Sequence, residues 1–305
     1  MININKCYFI FLKKLKNIYN KYEINKLFII LFTNILKCNK DKLYYYTLKN
    51  KKINNNKYFI FINALLKLKY RYPIQYIIHH TYFNGIKINL NKNVFIPRQE
   101  TEELVNLIIR DYNNNKRNSN INNKPLKILD IGTGSGCISI YINKKIRNSK
   151  IYCLDYSKKI LYKTKKNFLL NKIYNNIKFY KFNILNNKKK YKMFLKKIPS
   201  FDLIISNPPY ISFYNYYKYI KTNIFYEPYK SIFVLNNDVI IFYKKIMLYF
   251  YKYKLNKNGI IYFEISNEIK KKIILFLRKK FNSNNIIKFI KDINNNYRIL
   301  KIIKK

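Results

Sequence analysis

Histidine, cysteine and glycine are scarce in this chain, and each scarcity removes a class of chemistry. The two histidines, His79 and His80, are adjacent. They cannot supply a histidine-based zinc site or the separated members of a Ser-His-Asp triad. The four cysteines stand at positions 7, 38, 137 and 153. They form no C-x-x-C pair and no secreted disulfide framework, so no metal site is expected. Tryptophan is absent and alanine occurs once, as Ala64. The longest apolar stretch, Leu27–Leu36, is too short and too broken by polar residues to span a bilayer. No membrane association is expected. The apolar start of the chain lacks a small-residue cleavage site, which argues against a signal or transit segment. Chemistry must come from a few carboxylates, amides and glycines, or from a cofactor.

The 305 residues suit one large domain or two ordinary ones, and 49% of them are hydrophobic, enough for a sizeable core. Lys+Arg number 62 against 14 Asp+Glu, for a formal net charge of +48. Lysine outnumbers arginine 55 to 7. Lys, Asn, Ile, Tyr and Phe share A/T-rich codons, so a base-biased genome is a plainer source of this charge than a nucleic-acid footprint. A dedicated nucleic-acid binder would favour arginine for bidentate phosphate contacts. The field still predicts non-specific contact with RNA or the ribosome.

Residues 1–72 contain apolar runs separated by Lys, Asn and Tyr, with no Gly or Pro. Helical hairpins fit best, though Ile- and Tyr-rich runs leave strand open. Residues 73–97 change character. Pro73, Gly85 and Pro97 punctuate segments of β-type alternation, and Asn84-Gly85 reads as a hairpin turn. Glu100, Glu102 and Glu103 then open a helix over 104–110, since acids suit a first helical turn. The Asn-rich run 111–124 reads as a loop. From 125 onward strands alternate with helices: strands at 126–131, 150–155, 177–182, 201–206 and 259–265, and a closing pair at 286–290 and 298–303. This predicts an α/β fold with a doubly wound, mostly parallel sheet and an antiparallel edge.

Because glycine is rare, its clustering carries information. Three of the five glycines fall in Asp130-Ile131-Gly132-Thr133-Gly134-Ser135-Gly136, at the end of the first of these strands. Such a loop lets backbone approach a ligand at a helix N-terminus. Its spacing is neither the dinucleotide fingerprint nor a P-loop. Asp155 ends the next strand. Alone it could be a helix N-cap; beside the glycine loop it is placed to accept the ribose hydroxyls of an adenosine cofactor. Asn207-Pro208-Pro209-Tyr210 comes directly after the strand 201–206. It could be a rigid turn. Equally, the Asn207 side-chain oxygen and the Pro208 carbonyl could accept hydrogen bonds from a substrate –NH₂, with Tyr210 packed on a planar amide or base. That arrangement would aim an sp² nitrogen at an electrophile.

Together these segments resemble class I S-adenosylmethionine-dependent methyltransferases, and among them the release-factor glutamine methyltransferases. Phe95-Ile96-Pro97-Arg98-Gln99-Glu100-Thr101-Glu102 is similar to that family's (I/L)-P-R-P-(E/D)-T-E segment. Phe201 to Ile211 resembles its F-D-L-I-V-S-N-P-P-Y-I, Tyr226-Glu227-Pro228 its F-E-P, and 259–264 its G-G-x-L-x-x-E strand. The resemblance implies S-adenosyl-L-methionine as cofactor, held by Gly132, Thr133, Gly134, Ser135, Gly136, Asp155, Asn183, Ile184 and Asn207. It implies Asn207, Pro208, Pro209 and Tyr210 as the catalytic residues. It also implies a seven-stranded mixed sheet over 98–305, a β-hairpin linker over 73–97, and an N-terminal helical domain, 1–72, that recognises the protein substrate. Asn183 stands where the family often has an acid near the adenine, Ile184 where some members have an aromatic, and Gln99 replaces a proline. Glu100, Glu102 and Glu227 are open between structural and functional roles.

The expected activity is N5-methylation of glutamine in the Gly-Gly-Gln motif of a peptide chain release factor, by a monomer. The expected compartment is a bacterial-type cytoplasm, with an organelle matrix as the other possibility. Two other readings stand beside it. One is methylation of an exocyclic amine of RNA or DNA; the other is a non-catalytic RNA-binding or assembly protein on the same fold.

Overall fold

The computed structural model describes residues 2–117, 124–281 and 285–305. The chain divides into two compact units. One comprises Met1–His80, Leu90–Lys92 and Lys218–Tyr226, the other Thr81–Asn89, Asn93–Tyr217 and Glu227–Lys305.

The first unit is built on four helices: α1 (Ile4–Leu15), α2 (Lys21–Leu36), α3 (Lys40–Leu48) and α4 (Asn55–Lys69). Abundant asparagine explains where they start. Asn3, Asn20, Asn39 and Asn54 are the four N-caps, and each side chain accepts the amide hydrogen three residues on. Asn20 and Glu23 close a reciprocal capping box. The buried faces meet in a cluster of phenylalanines, Phe11, Phe28, Phe32 and Phe61, with Phe28 stacked on Phe32 at 4.3 Å. Ala64 is buried with them. The strand alternative survives as one two-residue pair, Ile2–Asn3 with Lys52–Ile53. A short helix, α5 (Ile74–Ile78), occupies the start of the segment read as a hairpin linker. Residues 218–226 return to this unit, where the Tyr226 hydroxyl donates to the Tyr70 carbonyl at 2.6 Å.

The hairpin proper pairs His80–Phe83 with Ile86–Asn89. Asn84 and Gly85 both have positive φ, +44° and +76°, as a type I′ turn requires. Helix α6 (Gln99–Arg117) is much longer than the expected 104–110. The Asn-rich stretch that reads as a loop continues the helix to 117, and 118–123 lie outside the described residues. Tertiary contact overrides the local signal: Asp111 accepts from the Tyr262 hydroxyl at 2.6 Å and pairs with Lys301 at 2.7 Å.

Seven strands form the central sheet: β1 (Leu126–Ile131), β2 (Ser149–Asp155), β3 (Ile177–Lys181), β4 (Phe201–Ser206), β5 (Leu255–Glu264), β6 (Ile286–Lys291) and β7 (Tyr297–Ile303). Their spatial order is β6-β7-β5-β4-β1-β2-β3, and only β7 runs against the rest. This is the expected doubly wound, mostly parallel sheet with an antiparallel edge. Near-continuous apolar runs in β1, β2 and β4 fit strands covered on both faces. Helices α7 (Cys137–Lys145) and α8 (Lys158–Leu170) come after β1 and β2. Before β5 the chain is helical over Ile241–Lys245, continued by a π-helical turn, Ile246–Tyr251, and Lys252–Lys254. Among the described residues no helix is long and apolar enough to cross a membrane.

Candidate active site

Strands β2, β1 and β4 are neighbours, so the segments leaving their carboxyl ends are brought together. Ile131 and Ser206 are register partners, and the Ser206 hydroxyl donates to the Ile131 carbonyl at 2.7 Å. The glycine loop and Asn207 thus leave the sheet side by side. Open α/β sheets bind their ligands at this edge.

The glycine loop is anchored by backbone. Gly132 and Thr133 N–H groups donate to the Leu154 carbonyl on β2. Gly132 has φ +76°, and a Cβ built there meets nothing within 4 Å, so the space above it is open. Gly136 differs. A Cβ there would fall 2.7 Å from the Thr164 methyl of α8, which makes it a packing glycine between α7 and α8. Thr133 and Ser135 are buried. The Thr133 hydroxyl donates to Asp130 Oδ2 at 2.9 Å, and the Ser135 hydroxyl accepts from the Cys137 amide at 3.4 Å. Asn167 on α8 donates to the Ser135 carbonyl at 2.9 Å and to the Asn89 carbonyl at 3.0 Å. The hairpin end and the loop are therefore fixed by one buried amide.

Two carboxylates lie beneath this loop. Asp155, at the last position of β2, accepts from the Gly134 amide at 3.2 Å and the Ser157 amide at 3.1 Å. Burial pushes its pKa up to about 6 against those amides. Asp130 accepts from Thr133 and, at 2.6 Å, from Ser139, both through Oδ2. Its Oδ1 is buried with no partner among the described residues. Burial again raises the pKa, to about 6, and the Asp155 charge adds to it. Asn183 and Ile184 lie past β3, one strand farther out. Asn183 is exposed, and its side chain accepts the Leu185 amide at 2.9 Å in a local turn. Ile184 is buried in the main apolar cluster.

At β4, Pro208 is buried and Asn207, Pro209 and Tyr210 are half-buried. The Asn207 Nδ2 donates to the Thr101 hydroxyl at 3.1 Å, and that hydroxyl donates to Glu264 Oε2 at 2.6 Å. Thr101 and Glu264 are both buried. Neither was expected from the sequence as part of the site. The available signal was a rare acid at the end of the apolar strand 260–264. Burial raises the Tyr210 pKa to about 12, so its hydroxyl stays protonated at neutral pH. Glu227 is buried, pairs with Arg98 and accepts the Ile96 amide at 3.0 Å, a structural role that clamps the 96–98 segment. Glu102 likewise accepts the Asn84 amide at 2.8 Å, fixing the hairpin turn.

The family described as Methyltransferase small domain matches residues 118–231. A release factor glutamine methyltransferase of Flavobacterium psychrophilum is 36% identical over 292 residues, 96% of each chain. The chain belongs to the release factor glutamine methyltransferase family. A second member, from Lactococcus lactis, is 33% identical over 241 residues, covering 79% of this chain and 81% of that one. The solved ribosomal protein L11 methylase of Lactobacillus delbrueckii subsp. bulgaricus is 22% identical, covers 72% of this chain and 85% of its own, and has a TM-score of 0.45.

The cofactor of this family of methyltransferases is S-adenosylmethionine, and the residues present fit it. The space over Gly132 admits a ligand against bare backbone. The orphaned Asp130 oxygen suits an ammonium group, and Asp155 a pair of hydroxyls.

Proposed function

We propose that this protein transfers a methyl group to the side-chain amide nitrogen of glutamine in the Gly-Gly-Gln motif of a peptide chain release factor. The observation that carries this reading is the Asn207 amide, held at the carboxyl end of β4 beside the glycine loop, with its nitrogen committed to Thr101. The planar amide then turns its oxygen the other way, as an acceptor. A primary amide offers two N–H groups. Asn207 Oδ1 takes one and the Pro208 carbonyl the other, which holds the amide plane and draws electron density onto its nitrogen. Tyr210 packs along the plane as a neutral phenol. When bound, S-adenosylmethionine would supply an electrophilic methyl group and retain the neutral thioether as its leaving group. The protein supplies orientation, and the amide proton leaves to water.

In this reading Gly132–Ser135, Asp130 and Asp155 hold the cofactor. The helical residues 1–72 recognise the release factor, and the protein acts as a monomer in a reducing compartment where its cysteines stay as free thiols. Contact with RNA through the lysine-rich surface is non-specific. The test is methyl transfer from labelled S-adenosylmethionine to an intact release factor, to the same factor with Gln→Ala in its Gly-Gly-Gln, and to total RNA. Label on the intact factor alone is expected. Label on RNA alone would replace the substrate with a nucleobase amine.

A further inference from the structure

Three groups lie in line behind the site: Asn207, Thr101 and Glu264. Their donor and acceptor capacities are unequal. An ionised carboxylate only accepts, so Thr101 must donate to it, and the hydroxyl oxygen can then only accept from Asn207. The amide is thereby forced to present nitrogen inward and oxygen outward. A protonated Glu264 lifts that constraint. The acid can donate to Thr101, whose hydroxyl is then free to donate to Asn207 Oδ1, so an amide with its –NH₂ outward is no longer penalised. Two –NH₂ groups facing each other make no hydrogen bond.

We propose that Glu264 and Thr101 are positioning residues that set which end of the Asn207 amide faces the substrate, with the charge on Glu264 as the switch. The inference rests on the reading of Asn207 as the substrate acceptor. Its surroundings make the switch reachable. Burial drives the Glu264 pKa up to about 7, against the Thr101 and Asn207 hydrogen bonds and the Arg298 charge. Arg298 on β7 and Glu100 on α6 face it with opposite signs, and Tyr210 and Tyr243 are both neutral phenols there. Arg298 is itself tied to Asp292 at 3.2 Å, so its charge is partly spent. Turnover should therefore fall as pH drops through about 7, while cofactor affinity, set by Asp155 and Asp130, holds until about 6.

The test measures turnover against pH for the wild type, Thr101→Ser, Thr101→Val, Glu264→Gln and Asn207→Ala, with S-adenosylmethionine affinity measured alongside and a purified release factor as substrate. Thr101→Ser keeps the relay and should retain turnover and the acid limb. Thr101→Val removes the hydroxyl at equal size and should lose about 100-fold in turnover, with cofactor affinity unchanged and the limb near 7 abolished. Glu264→Gln should also lose the limb. Wild-type turnover and limb in Thr101→Val, beside a crippled Asn207→Ala, would overturn the relay alone. Full turnover in Asn207→Ala would overturn the acceptor reading beneath it.

Discussion

The two halves of the candidate site are made of different material. After β1 the ligand cradle is backbone: glycines at positive φ, amides tied to Leu154, and side chains turned inward to brace the loop. After β4 the proposed acceptor is one side chain, hydrogen-bonded to a threonine 106 positions away and, through it, to a glutamate 163 positions beyond that threonine. A backbone cradle is local and tolerates changes beneath it. A side-chain relay depends on three elements, α6, β4 and β5, arriving together. Binding and turnover should therefore fail separately.

Four substitutions sharpen that contrast. The largest effect is expected at the acceptor. Asn207→Ala should lower turnover about 100- to 1,000-fold, the range for losing one oriented polar group at a reacting centre. Cofactor affinity by calorimetry should change little; equal losses in both would erase the distinction between the halves. Asp155→Ala should do the reverse. Losing hydrogen bonds to a charged acceptor costs about 1.5–3 kcal/mol, so the S-adenosylmethionine dissociation constant should rise by one to two orders of magnitude, with turnover at saturation nearly kept. The wild-type affinity should also weaken below about pH 6, because a carboxylate whose pKa is raised by burial protonates there and ceases to accept. Affinity flat down to about pH 5 would remove Asp155 from the cofactor site. Gly132→Ala should cost about 1–2 kcal/mol of backbone strain at φ +76° and fill the space above the loop. Binding, not turnover, should register it. The smallest effect belongs to the helical unit. Asn20→Ala removes half of a capping box and should cost about 1 kcal/mol in thermal stability. Cofactor affinity should not move.

The same contrast explains what could be read from residues alone. Strands β1 and β4 have the bounds their apolar runs suggest, and the glycine loop and Asn207–Tyr210 come directly after them. In each case the signal and the structure lie close together in the chain. The extension of α6 to Arg117 was illegible because Asp111, just before its asparagines, is held by Tyr262 and Lys301, far along the chain. The relay was illegible for the same reason: threonine after a charged helix start and glutamate at a strand end each look ordinary until β5 is placed beside β4. Gly136 carried the opposite lesson. It belongs to the motif by spacing, yet its position answers to the methyl of Thr164. Asn183 and Ile184 were reached by resemblance, and their own geometry is a local turn and a buried core position.

Strand β7 lies between β5 and β6, two strands that precede it in the chain. Strands β6 and β7 are joined by a tight turn in which Asp292 accepts amides from Asn294 and Asn296. That hairpin is a local piece, held to the rest of the sheet through β5 alone. Arg298 travels with it. A chain with the β1–β4 edge closed and the hairpin still undocked would already own its glycine cradle, yet lack the cation that faces Glu264. Weakening that docking should therefore cost turnover before it costs cofactor binding.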